Sequence, residues 1–146
     1  MKGRPVTTIP TPDLPALLRH HGLRCTPSRL SALKLLSTSG SHLSSAEVSA
    51  ELKRLGLPID QTTVYRTLET LTDTGLAHAV HGPGPKRYGV ASEPHHHTVC
   101  ERCGEVGELP VEQLRETVER IAELAGLHVG AATSLLLYGR CARCSA

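Results

Sequence analysis

The chain has no phenylalanine, no tryptophan and only three tyrosines in 146 residues. Its core must therefore be built from Leu, Val, Ala and Ile, without the large area an aromatic ring buries. No apolar run approaches the ~20 residues that a membrane-spanning helix needs, so no membrane partner is expected. The N-terminus has no apolar signal-peptide core, and Pro5, Pro10 and Pro12 interrupt it. The expectation is a cytoplasmic protein whose cysteines stay reduced or metal-bound. H-E-x-x-H is also missing, and no obvious general base stands beside the histidine run. A zinc hydrolase, in which three histidines hold a metal with an open water position, thus has little to rest on. The length suits one compact domain or two small ones.

Against these absences stand five cysteines, four of them in matched pairs: Cys100-Glu101-Arg102-Cys103 and Cys141-Ala142-Arg143-Cys144. Two C-x-x-C knuckles 37 residues apart fit a closed structural Zn2+ with four thiolate ligands. A small module with so little bulk gains from such a staple, because metal-binding free energy becomes folding free energy. Cys25 is unpaired in this scheme and reads as a small buried residue. Before the first knuckle comes His95-His96-His97. On a strand, alternate residues share a face, so His95 and His97 can grip one ion while His96 points away. The closed four-cysteine site has no vacancy for them, which implies a second metal.

Charge is uneven. Residues 1–88 carry eleven Lys/Arg and six Asp/Glu, a net +5; residues 89–146 carry five and eight, a net −3. The basic half suits a polyanion, the acidic half a metal or a protein partner.

The punctuation predicts the elements. Residues 1–12 read as a flexible arm. Asp13 caps a short helix to about His21, and Thr26-Pro27 opens a second that ends before Gly40. Ser44-Ser45-Ala46-Glu47 is a capping box for a third, with Val48, Leu52 and Leu55 on one face. Asp60-Gln61-Thr62 opens a fourth, with Val64, Leu68 and Leu71 repeating to Gly75. Leu76 to Val80 and Arg87 to Val90 are strand-like around Gly82-Pro83-Gly84-Pro85. Helices followed by a β-wing make a winged helix-turn-helix whose fourth helix reads DNA. After a hinge at 91–94 come strands at His96–Cys100 and Val106–Leu109 and a helix over 111–125. A strand from His128 and another at Ser134–Tyr138 follow. The fold class is α+β: an N-terminal winged helix-turn-helix domain (13–90), then a small α/β dimerisation and metal-binding domain (95–146) with the four-cysteine zinc site.

These segments resemble the ferric uptake regulator family of metal-dependent transcriptional repressors. The likeness runs from about Leu14 to Cys144. It is carried by Gly22-Leu23-Arg24-Cys25-Thr26-Pro27-Ser28-Arg29, Thr62-Thr63-Val64-Tyr65-Arg66-Thr67-Leu68, His95 through Gly104, and Tyr138-Gly139-Arg140 leading into the second knuckle. The resemblance implies a homodimer bound to palindromic double-stranded operator DNA and controlled by a regulatory divalent metal: Zn2+, Ni2+, Fe2+ or Mn2+. It places that metal on His95 and His97, joined by His42, by Glu108 just after the first knuckle, and by His78, where zinc sensors of the family have Asp. Gly89 departs from the pattern, since the family commonly carries a ligand there; His78 or His81 would have to replace it. A second accessory site is expected to be weak or absent, because Pro94 and Thr133 stand where ligands would and only His96 remains. For DNA, the resemblance implies contact by Tyr65. Arg66 can address guanine, with Thr62 and Thr63 at the helix start and Arg24 and Arg29 as phosphate clamps. A peroxide-sensing repressor using iron or manganese on the same fold is the alternative. Since only neutral imidazole ligates, regulation is expected to weaken towards pH ~6.

Overall fold

The computed structural model describes residues 13–91, 95–130 and 133–145. The arm expected over 1–12 and, apart from Ala91, the hinge expected over 91–94 lie outside them.

Four helices form as their caps direct. In α1 (Leu14–His20), Asp13 accepts the Ala16 N–H at 3.1 Å. In α2 (Pro27–Ser39), Thr26 accepts the Arg29 N–H at 3.3 Å. In α3 (Ser45–Arg54), Ser44 and Glu47 satisfy each other's backbone N–H groups as a complete capping box. In α4 (Gln61–Asp73), Asp60 accepts the Thr63 N–H at 2.9 Å. The wing strands β2 (Ala77–Val80) and β3 (Arg87–Val90) follow. A strand that the sequence reading missed, β1 (Leu43–Ser44), joins them, giving the antiparallel order β1-β3-β2. It has two residues in a serine-rich stretch, too few to show a period of two.

The helices and the wing close on one core. Leu18, Leu33, Leu36, Val48, Leu52, Val64, Leu68 and Leu71 are each at most 2% exposed. Of the three tyrosines only Tyr88 is buried, and it sits in the same cluster. Each such leucine contributes ~1.5–3 kcal/mol over staying in water. Leu55 was expected on this face. It is instead 54% exposed, because α3 ends at Arg54 and Leu55 is its C-cap.

The second half has β4 (His95–Cys100), β5 (Val106–Pro110), α5 (Val111–Ala125), β6 (Leu136–Gly139) and the short α6 (Ala142–Ser145). The sheet order is β5-β4-β6, with β4 antiparallel to β5 and parallel to β6. A parallel pair needs a crossover, and α5 supplies it. The predicted strand at His128 does not form. Leu127 closes the end of α5 by donating to Ala122, and Gly130 and Thr133 bond each other in a turn. By then β4 has a neighbour on each side. The last strand begins at Leu136 rather than Ser134. The Ser134 hydroxyl donates to the His95 carbonyl, and the Leu135 N–H donates to the His96 ring rather than to a backbone ladder.

Little of this half is dry. Val99, Cys100 and Ala122 are its only buried apolar side chains among the described residues. Ile121, Leu124, Leu127, Leu136, Leu137 and Tyr138 are 40–86% exposed. No helix among the described residues is long and apolar enough to cross a membrane.

Candidate metal centres and nucleic-acid face

The parallel pairing sets Cys100 opposite Gly139 and so brings the two knuckles to one end of the sheet. The Sγ atoms of Cys100, Cys103, Cys141 and Cys144 all lie within 4.8 Å of one another, and Cys103 and Cys141 are 3.8 Å apart. A tetrahedron with Zn–S of ~2.3 Å has edges of about 3.8 Å, so the cluster fits zinc and is too open for a disulfide. Backbone N–H groups stabilise one sulfur as thiolate. Cys141 donates to Cys100 Sγ at 3.4 Å, and with the Cys103 N–H this brings the Cys100 thiol down to about 6. The neighbouring sulfur of Cys141 pushes Cys144 up to about 12, so without metal the cluster keeps a proton that a cation would displace. Arg143 ion-pairs with Glu105 at 2.6 Å, tying one knuckle to the start of β5.

The second cluster draws on both halves. His42 immediately precedes β1, His78 lies on β2, and His95 and His97 share a face of β4. One ring nitrogen from each falls within a single 4.8 Å group. His78 Nε2 lies 2.6 Å from His42 Nε2, 3.0 Å from His97 Nε2 and 3.2 Å from His95 Nε2. A neutral imidazole nitrogen carries one hydrogen or one lone pair, so one such atom cannot satisfy three others. The four nitrogens form a group with the chemistry to hold a cation among them. Nitrogens around tetrahedral zinc sit about 3.3 Å apart; the His97 and His95 spacings from His78 are close to that, and the His42 spacing is shorter.

Three of these histidines, His42, His78 and His97, are kept neutral, as ligation requires. Burial, reinforced by repulsion from His78, His97 and His95, lowers His42 to about 3. Burial, then His95, lowers His78 to about 4. Burial, then His95 and His78, does the same to His97.

Glu108 stands opposite His97 in the β4/β5 register. Its Oε1 is 3.1 Å from His42 Nδ1 and 3.6 Å from His95 Nε2. The first approach is close, but its alignment is not that of a hydrogen bond, and the His42 Nδ1 atom is otherwise buried without a partner. Glu108 therefore borders the cluster at the back of the His42 ring rather than joining the four nitrogens. His81 is exposed and outside the cluster; its carbonyl accepts the Tyr138 hydroxyl. His96 faces away, as alternation requires, and its Nδ1 accepts the Leu135 N–H.

On α4, Val64, Thr67, Leu68 and Leu71 face the core, which leaves Thr62, Tyr65 and Arg66 exposed and Thr63 half-buried at the cap. Tyr65 is 44% exposed, so it is not a core residue. Sequence reasoning missed Lys86. Its Nζ lies 2.5 Å from Glu69 and 5.6 Å from the Tyr65 ring centroid, tying the wing to α4. Tyr88 donates its hydroxyl to the same carboxylate. Arg24 is exposed; Arg29 donates to the Arg24 carbonyl and braces the turn before α2. Cys25, expected to be buried, is exposed on that turn.

A winged helix joined to an α/β half, with a four-cysteine cluster in that half and a four-histidine cluster shared between the two, is the build of a metal-responsive transcriptional regulator. The chain belongs to the ferric uptake regulator family, whose sequence profile matches residues 20–135. It is 37% identical over 128 residues to the ferric uptake regulation protein of Vibrio anguillarum, covering 86% of this chain and 85% of that one. It is 30% identical to the peroxide-responsive repressor of Staphylococcus saprophyticus, covering 87% and 86%. Among solved structures it is similar to the Vibrio cholerae ferric uptake regulator, with a TM-score of 0.73, 32% identity and coverage of 88% and 100%. Members of this family are transcription regulators and not enzymes, which removes the hydrolase reading.

Proposed function

We propose that this chain is a metal-dependent repressor of metal-homeostasis genes. It acts in the cytoplasm as a homodimer on a palindromic double-stranded operator. One observation carries this: the four converging imidazoles come from both halves, His42 and His78 from the winged-helix side and His95 and His97 from the other. A divalent ion held there supplies a cross-link between the two halves. Ligands that fall apart when the halves separate hold the ion far less well, so the ion favours the closed arrangement. A coupling of ~3 kcal/mol would tighten operator binding roughly 150-fold.

The chain's own residues do the rest. Cys100, Cys103, Cys141 and Cys144 hold a structural Zn2+ that ties β4 to the chain's last turn. The Glu108 carboxylate, 3.1 Å from His42 Nδ1, lies against that side of the ring and leaves Nε2 towards the ion. Tyr65, Arg66, Thr62 and Thr63 meet the major groove, with Arg24 and Arg29 near the backbone phosphates. The exposed Leu136, Leu137 and Tyr138 on β6, with Ile121 and Leu124 on α5, form the apolar face that a second copy covers.

The experiment is operator binding after mild chelation and re-addition of Zn2+, Ni2+, Mn2+ or Fe2+, for wild type and His95→Ala/His97→Ala. Restoration by one metal in wild type alone supports the reading; indifference of both proteins to metal refutes it. The peroxide-sensing alternative draws on the likeness to the Staphylococcus saprophyticus repressor. It requires that Fe2+-loaded protein lose its operator on peroxide treatment and gain oxygen on a ligand histidine.

A further inference from the structure

Gly89 lies within β3, directly opposite His78 in the β2/β3 register, and is buried. Its backbone does not demand glycine, because it is absent from the positive-φ residues. The reason for glycine is space. Residues directly opposite on antiparallel strands point to the same side of a sheet, so a side chain at 89 would enter the site beside His78. That volume belongs to His42. A Cβ at Gly89 would fall 2.5 Å from His42 Nε2, 2.8 Å from Cδ2 and 3.0 Å from Cε1. The ring has nowhere cheap to go: it is 3% exposed, with Glu108 at its Nδ1 and His78 at its Nε2. Any side chain at 89 expels the His42 ring from the cluster or distorts β3.

We propose that Gly89 sets the metal class of this site. By offering no side chain it seats His42 against the strand backbone, makes the donor set four imidazoles, and so selects Zn2+ over Mn2+. The inference rests on the regulatory-metal reading above and deepens it. Neutral imidazole suits borderline ions such as Zn2+, whereas Mn2+ prefers carboxylate, carbonyl and water oxygens. Four nitrogens close a zinc site with no open position. Glu108 lies outside the four-nitrogen group, 3.1 Å from His42 Nδ1 and 3.6 Å from His95 Nε2, so the donor set remains four imidazoles.

The test uses the full-length chain with its four-cysteine zinc in place. Zn2+ and Mn2+ affinities are measured by chelator competition, and the visible spectrum of the Co2+-loaded site reports coordination number. Gly89→Ala is expected to weaken Zn2+ binding on the order of 100-fold, matching His42→Ala, and to cost nothing further in the His42→Ala background. Gly89→Asp is expected to strengthen Mn2+ binding and shrink the Zn2+/Mn2+ affinity ratio at least ~10-fold. Its Co2+ bands should weaken from the intense four-coordinate pattern of wild type. Should Gly89→Ala not fold, His42→Ala/Gly89→Asp, which removes the clash, carries the same selectivity test. The inference is overturned if Gly89→Ala binds Zn2+ like wild type, if its loss persists without His42, or if Asp leaves the ratio unchanged. A wild type that takes up no metal beyond the four-cysteine zinc, or a His95→Ala/His97→Ala variant that still takes it up, overturns the regulatory reading itself.

Discussion

The two halves of this molecule solve the same problem with different materials. From Leu14 to Tyr88, leucines, valines and one tyrosine form a single buried cluster drawn from four helices and a sheet. From His95 onward, three apolar side chains are buried among the described residues, while Leu124 stands 86% exposed and Leu137 57%. What the second half lacks in hydrocarbon it has in metal-ligating groups, with four cysteines at one end of its sheet and two histidines at the other. The first half can hold its shape by burial. The second needs a cation, a partner copy, or both.

Removing a zinc ligand is the sharpest way to break that asymmetry. Structural zinc in small modules is worth ~10 kcal/mol or more, more than the three buried apolar residues can replace. Cys141→Ser is therefore expected to unfold the second half and abolish dimerisation while the helices of the first half persist. Zinc content, circular dichroism and sedimentation on one sample check it; a zinc-free variant that remains a folded dimer would count against this account. The converse pair is Leu68→Ala and Leu124→Ala. Leu68 is fully buried, so its loss should cost ~2–5 kcal/mol in urea unfolding. Leu124→Ala should change the unfolding free energy of the monomer by less than ~0.5 kcal/mol and show its effect in the dimer dissociation constant. Equal costs in monomer stability would erase the contrast between the halves.

How much of this was legible in the sequence follows the same divide. The first half announces itself because capping residues and leucine spacing act locally: Asp13, Thr26, Ser44 and Asp60 each bond within three residues, so a linear reading finds them. The knuckles were legible for the same reason. The misread strands lie where a distant partner decides. A strand at His128 needs an edge to pair with, and the Leu135 N–H goes to a histidine 39 residues away. The histidine site was half legible. Strand alternation pairs His95 with His97, but the place of His78 in the group and the room that Gly89 leaves for His42 are set by the register of β2 on β3. Glycine offers no chemistry to read, and only the fold shows what fills its place.

Acid should act on the halves through their shared site. His42, His78 and His97 are held near 3, 4 and 4 in the folded chain, below the 6.5 of an unfolded histidine. A folded pKa below the unfolded one means that the unfolded chain binds more protons. The stabilisation is then complete above pH ~6.5 and is lost as pH falls from there towards 4. Protein that keeps its four-cysteine zinc but lacks the second ion should lose thermal stability over that window. His42→Ala/His78→Ala should flatten the slope. In the closed, folded protein His42, His78 and His97 stay neutral well below pH 6, so metal-dependent operator binding should outlast the pH ~6 limit of an ordinary histidine. Failure at pH 6 together with a flat stability profile would contradict this assignment.

The smallest expected effect tests the DNA-facing side of the first half. Lys86 is a wing cation already engaged with Glu69, in a pair whose side chains are 29% and 33% exposed. Partly exposed pairs of this kind contribute only ~0.2–1 kcal/mol, so Lys86→Ala should barely move the unfolding midpoint. Its ammonium also stands 5.6 Å from the Tyr65 ring centroid, and losing it frees that ring and leaves the wing tied to α4 more loosely, through Tyr88 and Glu69. Operator affinity should therefore fall several-fold with little change in its dependence on salt, because the Lys86 charge is largely spent on Glu69. Arg66, exposed with no ion pair among the described residues, gives the opposite signature if it meets a phosphate: Arg66→Ala should lower the log–log salt slope by about one. Titrations at two or more salt concentrations separate the cases. A full unit of slope lost in Lys86→Ala would make it a phosphate contact rather than a brace between wing and helix.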